Sequence, residues 1–217
     1  MSKYRIQYIQ GDEVKYISHL DFLRTINRVF ARADLPIKFS NGFNPHPVMT
    51  IGLPLSVGTT SVCDVLDVDL TEDIDTTELI ERINQNCPLG IRAAAAKRAE
   101  NLKPLFNIDS AVYTAKFDAD SDPKIDEFAA VDEILIEKKS KRGMKEVNIK
   151  DFIRSLEKCD GGDRKYGLKM HINAGNFSNL KPELVLAALG DFSGAVPSNI
   201  AINRDKIFFD DGEPVFE

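Results

Sequence analysis

Apolar residues recur along this chain with two different periods, and the switches between them predict its elements. Tyr4 to Ile9 alternates polar and apolar positions, as a strand with one buried face does. After a Gly11-Asp12 turn the period lengthens. Ser18 is a helix N-cap with Asp21 three residues on, and Phe22, Ile26, Val29, Phe30 and Ala33 then follow at helical spacing until Pro36 stops the run. Met49 to Leu53 and Val62 to Leu70 read as strands, Thr76 to Asn86 as a second helix, and Ile91 to Lys97 as a closing strand. The order β-α-β-β-α-β is the ferredoxin-like pattern.

The second half repeats the plan less regularly. Ala111 to Phe117 reads as a strand, Lys124 to Ala130 as a short helix, and Glu133 to Lys138 with Glu146 to Ile149 as a hairpin turning at Lys141-Arg142-Gly143. Asp151 to Lys158 reads as a helix, Tyr166 to Ile172 as a strand, Lys181 to Leu189 as a helix with Pro182 in its first turn, and Ala201 to Phe209 as a last strand. The fold class is therefore α+β, with tandem ferredoxin-like units over 1–100 and 109–217 and a joint near Pro104. A single mixed sheet is the alternative.

Composition narrows the classes. With 28 basic and 34 acidic residues the formal charge is −6, and 43% hydrophobic residues suffice for a folded core. No apolar run approaches the roughly 18–20 residues that cross a bilayer, and the first residues read as a strand, so no membrane partner is expected. Cys63, Cys87 and Cys159 are far apart with no C-x-x-C, which fits a reducing cytoplasm and argues against zinc ribbons and disulfide scaffolds. The chain has neither a P-loop nor a G-x-G-x-x-G, and no cofactor is expected.

Charge is unevenly distributed. Residues 15–46 carry five Lys and Arg against two acids, while residues 64–81 carry eight acids and no Lys or Arg. Arg24, Arg28 and Arg32 fall four apart, opposite the apolar stripe of the first helix, and form a basic strip suited to phosphates. The structural alternative is a solvated face with an Asp21–Arg24 pair. The loop Ser40-Asn41-Gly42-Phe43-Asn44-Pro45-His46-Pro47 joins a turn-forming Asn-Gly to two prolines that hold Asn44 and His46 extended. Such a loop either presents Asn44 and His46 for binding or satisfies its own backbone. For catalysis, His19, Asp21 and His46 are candidate acid–base groups. His19, His46 and Cys63 are conceivable metal ligands without a ligand spacing, and no metal is expected. His171, alone in an alternating strand, reads as structural, and Lys138 to Lys145 reads as a basic hairpin tip.

Ser18-His19-Leu20-Asp21, Arg24, Arg28, Leu35-Pro36, the Ser40 to Pro47 loop and Pro54-Leu55-x-x-Gly58 together form one long signature. It resembles the bacterial radical-SAM-linked protein family, whose members stand alone or are fused behind a radical SAM protein. The likeness is close over the first 70 residues and looser beyond, with Asn148 and Lys150 standing where the family usually has Asp and Arg. It implies work on ribosomal or transfer RNA beside a radical SAM partner. The partner would hold the cluster, because this chain has no C-x-x-x-C-x-x-C run. On this reading Ser18, His19, Asp21, Arg24, Arg28, Ser40, Asn41, Gly42, Phe43, Asn44 and His46 form the binding surface of a non-catalytic accessory protein. An enzyme acting on RNA or a phosphorylated substrate, and a module that docks the radical SAM protein, are the alternatives.

Overall fold

The computed structural model describes residues 2–140 and 143–216, and the side chains of all of these except 138–140, 143 and 144. The expected turn at Lys141-Arg142 lies outside the described residues. The secondary structure is mixed, with four α-helices and mostly antiparallel strands among the described residues, an α+β chain. It divides into two compact units, Met1–Ile108 with Ile207–Glu217, and Asp109–Lys206.

The first unit runs β1 (Ser2–Gln10), α1 (His19–Arg32), β2 (Met49–Ile51), β3 (Thr59–Leu70), α2 (Thr76–Asn84) and β4 (Ile91–Arg98). Its strands lie in the order β4-β1-β3-β2, each pair antiparallel. Alternation decides the faces. Tyr4, Ile6 and Tyr8 of β1 and Leu66, Val68 and Leu70 of β3 form a core with Phe22, Ile26, Val29 and Phe30 of α1 and Leu79 and Ile83 of α2. Tyr8 stacks on Phe22 with ring centroids 5.1 Å apart. Arg82 of α2 donates to the carbonyls of Ala33 and Asp34, closing the C-terminal end of α1 where carbonyls lack helical partners.

On the opposite face of β1 and β3 two charged residues, Arg5 and Asp67, are buried as well. Arg5 and Asp67 are cross-strand partners, 1% and 3% exposed, joined by Nε–Oδ1 at 2.8 Å and Nη2–Oδ2 at 3.0 Å. Arg5 also donates to the Lys103 carbonyl at 2.8 Å and lies 5.6 Å from the centre of the Phe209 ring. Residues 207–217, which the sequence assigns to the second half, belong to this first unit. Besides Phe209, Asp210 and Asp211 both pair with Lys103. These contacts join residues about one hundred to two hundred positions apart, a separation that no local pattern reports.

The second unit contains β5 (Ile108–Asp118), α3 (Ile125–Ala130), β6 (Leu135–Ser140), β7 (Gly143–Asn148), β8 (Ile153–Cys159), β9 (Tyr166–Asn173), α4 (Pro182–Ser193) and most of β10 (Ser198–Phe209). Its sheet has the order β10-β5-β9-β8, and β6 and β7 form a separate antiparallel hairpin. The helix expected over Asp151 to Lys158 is not formed. A 3-10 turn at Lys150–Phe152 leads instead into edge strand β8, paired antiparallel with β9. The reason is a register shift between Ile153 and Ser155, which interrupts the alternation and leaves Phe152, Ile153 and Leu156 at a spacing that imitates a helix. Gly161-Gly162 therefore turns between two strands, with Gly162 at φ 66°.

Candidate functional site

The binding residues expected from the sequence fall into two groups, both in the first unit. Ser18 caps α1: its hydroxyl accepts from the Asp21 amide at 3.2 Å and donates to Asp21 Oδ2 at 2.8 Å. Arg24 Nη1 donates to the other Asp21 oxygen at 2.9 Å. The Ser18 hydroxyl first, and Arg24 second, lower the Asp21 pKa from its ordinary value. Asp21 is thus held ionised, as an acceptor and not a proton donor. His19 is exposed, and with Ser18 it lines a small cavity together with Gln10, Pro54, Leu55 and Thr59. The fold so joins the Ser-His-Leu-Asp and Pro-Leu segments of the signature. At about 10 Å³ the cavity has the size of one water and is no substrate pocket.

The second group is an arm. Ile37 pairs with Leu70 and Met49 with Val68, so the chain leaves the sheet edge between them and returns to the same place. The arm is closed by Val48 N to Lys38 O and Ser40 N to His46 O, each 2.8 Å, and by a Phe39–Pro47 bridge. Ser40 Oγ lies 2.9 Å from His46 Nδ1 and accepts from the His46 amide at 3.1 Å. His46 therefore braces the arm. Gly42, at φ 126°, turns the tip in a conformation that favours glycine. Asn41, Phe43 and Asn44 project into solvent there, with Phe43 wholly exposed at 106% and Phe39 half exposed at 53%.

No hydrogen bond joins the two groups among the described residues. The arm is rooted at Asp69, and the cavity beside His19 is lined by Ile51, which pairs with Leu66, as well as by Thr59. No arm residue lines that cavity. Asp21 is held by Ser18 and Arg24, and His46 Nδ1 lies beside Ser40 Oγ, with no hydrogen bond joining His19, Asp21 and His46 among the described residues. Cys63 is buried on β3 beside Ser61 and does not line the cavity either.

The arginine row is exposed as expected. Arg24 is tied to Asp21, whereas Arg28 and Arg32 enter no ion pair among the described residues. The acidic run 64–81 is divided between the interior and the surface, with Glu72, Asp73, Asp75, Glu78 and Glu81 exposed. Asp64 and Asp67 are buried, Asp64 accepting from Gln10 at 2.7 Å, while Asp69, Asp73 and Glu78 pair with Lys38, Arg98 and Arg82. Asp75 caps α2. Among the exposed apolar residues that the sequence reading did not single out are Tyr16 at 74%, Leu20 at 62% and Phe39. Leu20 gave a readable signal, since it stands four residues before Arg24 and off the stripe of Phe22 and Ile26.

In the second unit, Asn148 Oδ1 accepts from the amides of Ile134 and Lys150, both at 3.0 Å, and Lys150 Nζ donates to the Ala129 carbonyl at 2.8 Å. Both positions brace the β6–β7 hairpin, tasks that Asp and Arg would also perform. His171 Nε2 lies 3.0 Å from Ser110 Oγ, and burial is the main cause lowering its pKa.

Residues 3–182 match a family described as an uncharacterized protein conserved in bacteria, DUF2344. The chain belongs to this family. The match spans the whole of the first unit's β-α-β-β-α-β run, including α1 and the arm, and ends at Pro182, the first residue of α4. No curated protein matches the chain.

Proposed function

We propose that this chain is a non-catalytic, cytoplasmic accessory protein that binds ribosomal or transfer RNA through its first unit and works beside a radical SAM partner. The observation that carries the RNA reading is Phe43, an aromatic ring wholly in solvent at the tip of an arm stiffened by Ser40, His46 and two prolines. Every nucleobase offers a π face, and a ring on a stiff support loses little freedom when a base stacks on it. Asn41 and Asn44 flank the ring with the donors and acceptors that base edges need. Arg28 and Arg32 supply unpaired cations for phosphates. The radical SAM partner rests on the resemblance of the Ser18 to Gly58 signature alone. We read the two units as tandem ferredoxin-like folds. In support, each places its strands in the order fourth, first, third, second, with the β6–β7 hairpin as an insertion in the second unit.

The test is fluorescence anisotropy of the full chain with transfer RNA and with a 12-nucleotide uridine-rich RNA. Crosslinking in the bacterial host and sequencing of the bound RNA would name the target. Phe43→Ala should weaken binding by about 1–3 kcal/mol, at least about fivefold, without changing the unfolding midpoint. Arg28→Ala with Arg32→Ala should reduce the slope of log affinity against log salt by about 1.4 on the single strand. An unchanged affinity in Phe43→Ala, or no RNA bound, refutes the reading. Co-purification with a radical SAM protein that survives nuclease tests the partnership, and its loss on nuclease refutes direct docking.

A further inference from the structure

The second unit carries an apolar groove that nothing above uses. It lies between α4 and the segment that follows it, with a volume of about 320 Å³, within the range that binding pockets occupy. Leu186, 1% exposed, and Gly190 form its floor, and Val196, Pro197 and Ile200 form one wall. Gly190 is required for this shape, because a Cβ there would stand 2.9 Å from Pro197 Cδ. The wall is braced from behind. Ser198 Oγ donates to the Asp118 carbonyl, Asn199 Nδ2 donates to Asp118 Oδ2 at 2.9 Å, and Arg164 Nε donates to the Asn199 carbonyl at 2.6 Å. Val196 nevertheless stands 71% and Ile200 46% exposed, on a wall that cannot easily fold inward to cover them.

Charge indicates what covers the groove. Glu183 and Asp191 are exposed at its two ends and enter no ion pair among the described residues. Eight residues of helix separate them by about 12 Å. Asp191 lies in the last turn of α4, where the helix dipole disfavours an anion and where no basic residue compensates it. We propose that this groove docks a basic amphipathic helix of a partner protein, with an apolar side chain seated between Val196, Ile200 and Leu186 and a Lys or Arg at each end facing Glu183 and Asp191. Two acids at the rim repel a phosphate backbone, so the occupant is protein and not nucleic acid. The groove belongs to the second unit and the arm to the first, and neither inference depends on the other.

The probe is a fluorescein-labelled helical peptide with leucines on one face between two lysines eight positions apart, added to the full chain and followed by anisotropy. The wild type should bind it, and more weakly as salt rises. Glu183→Lys with Asp191→Lys, both at exposed positions, should weaken it about tenfold and improve binding of the same peptide with glutamates in place of the lysines. Ile200→Asp should abolish binding, while the circular dichroism spectrum shows that the fold is kept. Failure of the wild type to bind the lysine peptide, or charge-reversed protein that binds both peptides as the wild type does, overturns the proposal. So does a uridine-rich RNA whose affinity falls in Ile200→Asp, because the groove would then be a nucleic-acid site.

Discussion

The Arg5–Asp67 pair allows a worked prediction about what holds the first unit together. Arg5→Met removes a guanidinium that makes two bonds to Asp67 and one to the Lys103 carbonyl, and that packs beside Phe209. What remains is a carboxylate 3% exposed, with Lys3 Nζ at 3.3 Å as its other cation. Removing one member of a buried ion pair costs about 3–5 kcal/mol, because the other charge stays buried without compensation. Lys3 is 42% exposed and offsets only part of this, so the expected loss is about 3 kcal/mol, a large fraction of the 5–15 kcal/mol of a typical domain. Adding Asp67→Leu removes the stranded charge and replaces it with apolar volume, which should return stability to within about 1 kcal/mol of wild type. Urea unfolding followed by circular dichroism measures each variant, and the double-mutant cycle isolates the pair. The reasoning fails if Arg5→Met alone costs less than about 1 kcal/mol. It also fails if the double variant is less stable than Arg5→Met.

Two further outcomes follow from the geometry. His171 has a folded pKa below its ordinary value of about 6.5 because its burial disfavours the charged ring. The unfolded chain then binds the proton more readily, so the stability His171 contributes is present above about pH 6.5 and is lost as pH falls below it, through the lowered folded pKa. His171→Gln should flatten the decline of the unfolding midpoint between pH 7 and 5.5, and an NMR titration that places the imidazole at or above 6.5 would contradict the burial argument. Ser18→Ala should destabilise α1 by about 1 kcal/mol through loss of its N-cap, and should raise the Asp21 pKa towards the ordinary carboxylate value. Hydrogen exchange over residues 19–22 and a carboxyl titration check both, and an unmoved Asp21 would deny the hydroxyl its part.

The sequence by itself determined what is local. The apolar stripe of α1, its Ser18 cap, the alternation of β1 and the order of elements in the first unit are written in spacings of two and of three to four residues, because one face of each element meets the core. The stiffness of the arm was likewise legible from Asn41-Gly42 and the two prolines. Only the tertiary structure decided the rest, and the reason is pairing between distant residues. Strand β8 takes its conformation from β9, which overrides a helix-like spacing interrupted by a shifted register. That Asp64 and Asp67 are buried depends on Gln10 and Arg5, on another strand, which pair with them. The return of residues 207–217 to the first unit and the groove along α4 depend on which segments meet in space. No period along the chain encodes those meetings.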